Sequence, residues 1–109
     1  MPSYSKGEVI LVRYPFSDLS GAKVRPAIVV SSVHVSWDLF VVPVTSRVDA
    51  LLAGEFVLDE WKSAGLNVVS AVKRGLYTLH QNLIVKSVGE ISQSDREKID
   101  GSLRSWLEL

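Results

Sequence analysis

At 109 residues, 47% hydrophobic and 22% charged, the chain is expected to form one ordinary globular domain. Twelve basic side chains meet twelve acidic ones, spread evenly along the sequence, so any polyanion binding must come from a local cluster rather than from overall charge. The absence of cysteine excludes a disulfide framework and a thiolate metal site; no apolar run of about 18 residues offers a membrane span, and Met1-Pro2-Ser3-Tyr4-Ser5-Lys6 has no signal-peptide core, so a cytoplasmic protein without membrane contact is expected.

Taken in chain order, Glu8-Val9-Ile10-Leu11-Val12-Arg13-Tyr14 is a predicted strand after the break at Gly7. Its four consecutive apolar residues predict burial on both faces. Pro15, with no N–H to give, ends that ladder, and residues 16–22 carry the Ser, Asp and Gly of a loop. The second strand runs from about residue 25 to 32, with Pro26 placing its start at an edge or outside regular pairing. Residues 33–37 make a short connection to a third strand over residues 38–45, and so short a link favours an antiparallel hairpin. If the turn centres on Val35, paired positions sum to 70, which sets Ser31 opposite Leu39 and Arg25 opposite Thr45. Opposed residues hold their Cβ atoms about 4.5–5.5 Å apart on one face. A slip of one residue would send the two to opposite faces.

Beyond the hairpin, residues 46–54 form a loop and residues 55–58 a short strand. Residues 59–64 suit one helical turn ended by Gly65. Residues 67–74 and 83–88 read as further strands. The last stretch is a helix over residues 92–107, with Ser92 as N-cap and Asp95 three residues on, or Ser94 with Glu97 in a second register. Ile99, Leu103, Trp106 and Leu107 form its apolar stripe. Gly101 costs about 1 kcal/mol inside it. The predicted architecture is mainly β with a C-terminal α-helix, a small, partly open β-barrel in one domain over residues 1–109.

The stretch Lys23-Val24-Arg25-Pro26-Ala27-Ile28-Val29-Val30-Ser31 brings two cations and a proline to the mouth of an apolar strand. Arg25 there is either a solvated strand end or a placed functional group. Thr45 is at home in any strand, so its weight comes from its place opposite Arg25. The two histidines, His34 and His80, lie far apart with no acid pattern beside them, so no metal site is expected. Trp37, Trp61 and Trp106 are expected in the core or an interface.

These residues carry a resemblance. Gly7-Glu8-Val9-Ile10-Leu11-Val12, Pro15-Phe16-Ser17-Asp18 and the Lys23–Ser31 stretch resemble the PemK/MazF family of toxin endoribonucleases. Val42-Pro43-Val44-Thr45-Ser46, Gly65-Leu66, Tyr77-Thr78-Leu79, Leu83-Ile84-Val85-Lys86 and Gly89-Glu90-Ile91-Ser92 follow in the family's order. The resemblance implies an SH3-like barrel, a homodimer, and cleavage of single-stranded RNA without metal or cofactor. It also implies neutralisation by a cognate antitoxin protein. Arg25 and Thr45 would be the principal catalytic positions, the same two that the hairpin count pairs. Lys23, Ser46, Lys73 and Arg74 are candidate RNA contacts, and Asp18 is a candidate to orient Lys23 or Arg25.

Such cleavage uses the RNA's own 2′-OH as nucleophile and leaves a 2′,3′-cyclic phosphate and a 5′-OH end. The protein must move protons and stabilise charge on the phosphorane oxygens. Arg25, always charged and able to fork two oxygens, suits stabilisation. Some family members carry a carboxylate before the Tyr77 motif; here that stretch is Ser70-Ala71-Val72-Lys73-Arg74-Gly75. No base is assigned, and His80 is the candidate to substitute. Two alternatives stay open: a catalytically silent or gyrase-inhibitor-like binding module on the same barrel, and a housekeeping RNA-binding domain.

Overall fold

The computed structural model describes residues 4–14 and 23–109. Seven strands run as β1 (Glu8–Tyr14), β2 (Lys23–Val29), β3 (Asp38–Thr45), β4 (Phe56–Val57), β5 (Ala71–Val72), β6 (Tyr77–His80) and β7 (Ile84–Glu90), followed by the helix α1 (Gln93–Leu107). They form one sheet in the order β4-β5-β3-β2-β1-β7, with β6 also pairing β3, and every ladder is antiparallel. This is the small, partly open barrel that the strand pattern predicts. No helix among the described residues is long and apolar enough to cross a membrane.

Alternation along the strands splits the core in two. Val9, Ile28 and Val42 face one way and pack with Leu58, Ile91 and Ile99, where Trp61, Leu103 and Trp106 close the cluster. Ile10, Val12, Val29 and Val41 face the other way and pack with Leu39 and Leu79. The apolar run of β1 is therefore buried on both faces, as its unbroken pattern requires.

The helix begins where its cap predicts. Ser92 Oγ accepts the Asp95 N–H at 3.1 Å, whereas Ser94 does not cap and instead faces Asp59. Ile99, Leu103 and Trp106 meet the sheet, but Leu107 is 47% exposed, because it lies in the last helical turn beyond the sheet's edge. Asp95 is fully buried; its carboxylate accepts the N–H groups of Asp59 and Glu60 at 3.1 and 3.2 Å. That ties the helix to the turn over residues 59–66. The turn is a single helical revolution: Gly65 at φ +91° donates to the Lys62 carbonyl, and Leu66 reaches back to Trp61. Only glycine fits, since a Cβ there would run into the Val88 carbonyl of β7.

Two predicted strands differ markedly from those observed, and one observed strand has no predicted counterpart. The second begins at Lys23 and ends at Val29, because Arg25 and Pro26 stay paired to β1. Residues 67–74 yield only Ala71–Val72, since Ser70 and its predecessors bend away from β3 and Ser70 Oγ donates to the Val68 carbonyl. Tyr77–His80, predicted as no strand, pairs with the first half of β3. Trp37 lies on the surface in the β2–β3 turn, and His34 is exposed there too.

Candidate functional site

The β2–β3 ladder joins Ala27 to Pro43, Ile28 to Val42 and Val29 to Val41. Each pair sums to 70, so the register is the one counted from the sequence. Past Ala27 and Pro43 this ladder stops. There β2 continues along β1, with Pro26 beside Leu11 and Arg25 beside Val12, while Val44 and Thr45 of β3 pair with Val72 and Ala71 of β5. Pro26 and Pro43 offer no N–H to zip the gap. The strands lean toward different neighbours, and a cleft of about 760 Å³ opens between them.

Arg25 and Thr45 both line this cleft, and Ser46 and Lys73 with them. So do two cations that the sequence reading did not single out, Arg47 and Lys86. Arg25, Arg47, Lys73 and Lys86 enter no ion pair or side-chain hydrogen bond among the described residues. Among the described residues, no acidic side chain lines the cleft. A protein of zero net charge thus gathers a third of its cations at one opening, which is the local cluster its composition concealed.

Thr45 Oγ1 accepts the Arg47 N–H at 3.1 Å. A hydroxyl that accepts from the backbone keeps its own proton to donate. The same bond folds the chain after Thr45 so that Arg47 stays at the cleft rim.

Other predicted positions lie elsewhere. Lys23 is exposed at the start of β2, one pleat outward from Arg25 and outside the cleft lining. Arg74 is exposed outside the lining as well; its backbone N–H donates to Glu55 Oε2 at 2.9 Å. His80 pairs with Asp38 at the opposite end of β3, seven residues from Thr45 and so roughly 23 Å away. Its Nδ1 accepts the Asn82 N–H and caps the short turn over residues 81–83. Asp18 lies outside the described residues.

A carboxylate does meet the Ser70–Gly75 stretch through space, but outside the cleft lining. Glu55 sits just before β4 and accepts the Leu52 N–H through Oε1 at 2.7 Å as well as that of Arg74. Those backbone bonds, the Arg74 one foremost, together with Lys73 hold its pKa below the ordinary 4.5. An anion so held is a poor proton acceptor and a good brace. No group of three or more His, Cys, Asp or Glu suited to a metal occurs among the described residues.

The fold is thus a small antiparallel barrel whose cleft, among the described residues, is lined by four cations and no acid. Residues 5–107 match the PemK-like, MazF-like toxin family of type II toxin–antitoxin systems, and the chain belongs to that family. No curated protein is significantly similar in sequence. Solved structures share the fold. The MazF crystal structure (Form-I) from Deinococcus radiodurans superposes with a TM-score of 0.79 at 21% identity, covering 100% of both chains. The Mycobacterium tuberculosis toxin MazF-mt6 gives 0.74 at 20% identity over 94% of this chain and 97% of that one. An endoribonuclease in complex with its cognate antitoxin from a mycobacterial species gives 0.73 at 20% identity, over 97% and 96%.

Proposed function

We propose that this toxin is a metal-independent endoribonuclease that cuts single-stranded RNA by internal 2′-OH attack. The observation that carries the reading is the meeting of Arg25, the Thr45 hydroxyl and three further cations in one cleft that no acid lines among the described residues. A phosphodiester entering it meets a guanidinium that forks two oxygens and a hydroxyl free to donate. The 2′-oxygen bonds to phosphorus and the P–O5′ bond breaks, leaving a cyclic phosphate and a 5′-OH. Arg25 stabilises the extra negative charge of the phosphorane, while Thr45 donates to a non-bridging oxygen. Ser46, Arg47, Lys73 and Lys86 hold the flanking phosphates. Among the described residues neither carboxylate nor imidazole lines the cleft; in this reading the 2′-OH proton passes to solvent and the leaving 5′-oxygen takes one back. A homodimer and a cognate antitoxin complete the reading, as family membership and the antitoxin-bound mycobacterial structure support.

The test is a short fluorescent RNA mixed with the purified protein in EDTA. Cutting should persist with the chelator, leave 5′-OH ends that a polynucleotide kinase can label, spare the DNA analogue, and fall by about 100-fold or more in Arg25→Ala. Binding without cutting of any RNA pool would instead establish the silent binding module.

A further inference from the structure

Beside the cleft lies a second hollow of about 520 Å³. The two share Thr45, Arg47 and Lys73 as a common wall. A strand whose phosphate rests against Arg25 and Thr45 therefore lays a neighbouring nucleotide over that wall. The hollow's chemistry differs from the cleft's. Leu51 and Leu52 supply an apolar surface, with Leu52 70% exposed. Asp49 and Glu55 here offset the charge of Arg47 and Lys73, so the hollow favours a second phosphate less than the cleft does. Both Asp49 carboxylate oxygens are free of hydrogen bonds and ion pairs among the described residues. The hollow is also braced before anything binds: Glu55 takes the N–H groups of Leu52 and Arg74 and donates its own N–H to the Leu52 carbonyl at 2.9 Å. An apolar surface beside an unpaired acceptor suits a nucleobase.

We propose that this hollow is the specificity subsite for a base next to the scissile phosphate, and that Asp49 reads guanine there. The proposal rests on the ribonuclease reading above. An ionised carboxylate only accepts. Guanine presents N1–H and N2–H2 side by side, two donors for two oxygens. Adenine and cytosine present one exocyclic amino group beside an acceptor. Uracil is the poorest fit, because its N3–H lies between two carbonyl oxygens that would face the carboxylate.

The experiment maps cut sites in a random RNA pool by sequencing the 5′-OH fragments, for the unaltered protein, Asp49→Asn and Asp49→Ala. Guanine should be enriched over uracil at one position flanking the cut, and both variants should lower that ratio about tenfold or more while cutting continues. Cutting by the unaltered protein with no guanine enrichment beside the cut, or with enrichment that both variants preserve, overturns the subsite and leaves the nuclease standing. If the unaltered protein cuts nothing, the nuclease reading fails and the subsite with it.

Discussion

Thr45 carries two duties in one side chain: its oxygen receives the Arg47 amide, and its proton stays available to donate. Thr45→Ser keeps both and should cleave within a few-fold of the original. Thr45→Val keeps the β-branched shape that suits a strand, so the fold should survive while single-turnover cleavage drops by about 10–100-fold. Arg25 is no more replaceable by Lys, which lacks the planar fork. Acid–base behaviour follows from what the cleft omits. With no histidine in the lining, log rate should climb steadily from pH 6 to 8 without a bend near the histidine pKa of about 6.5. His80→Ala should leave both rate and profile unchanged, since His80 stands at the far end of β3. A bend that this variant abolishes would restore His80 as the base.

Elements are held in place here by carboxylates that gather backbone N–H groups. Asp95 does so within the core, and Asp95→Ala leaves the Asp59 and Glu60 amides unsatisfied, so urea denaturation should show a loss of about 2–3 kcal/mol. Glu55 does so at the surface. Its folded pKa lies below 4.5, so its contribution is complete above that value and fades as pH falls through the folded one. Glu55→Gln should therefore cost about 0.5–1 kcal/mol at pH 7 and progressively less as the pH is taken below 4.5. The sequence exposed one kind of contact and hid the other. β1, β3 and the Ser92 cap follow from neighbouring residues, and the register from Ala27 to Val29 follows from a five-residue link, so counting brings Arg25 and Thr45 to the same end of the hairpin, although there Arg25 pairs with Val12 and Thr45 with Ala71. Lys86 reaches the cleft through a β1–β7 pairing broken by register shifts. No short turn joins those strands to fix their alignment, and nothing local announces them. β6 went unseen for a related reason: four residues with little alternation become a strand only because β3 offers an edge.

For the whole molecule, the decisive quantity is how charge is distributed rather than how much there is. Removing four cleft cations from twelve leaves eight basic groups against twelve acidic ones across the remainder. On the proposed ribonuclease reading, RNA is attracted at that opening and opposed by the net negative charge of the remainder. Binding of a non-cleavable 2′-deoxy analogue should weaken with salt at a log–log slope of about −2 to −3, as three or four phosphate contacts on a single strand require. Lys86→Ala should flatten that slope by about 0.7, to be read by fluorescence anisotropy across a salt series. The ladder that stops at two prolines has a practical outcome at the bench. A protein without net charge ordinarily washes through heparin resin, yet this one is expected to be retained, every copy gripping the bead in the same orientation. Adding a short oligonucleotide should then release it at unchanged ionic strength, because resin and RNA compete for a single mouth.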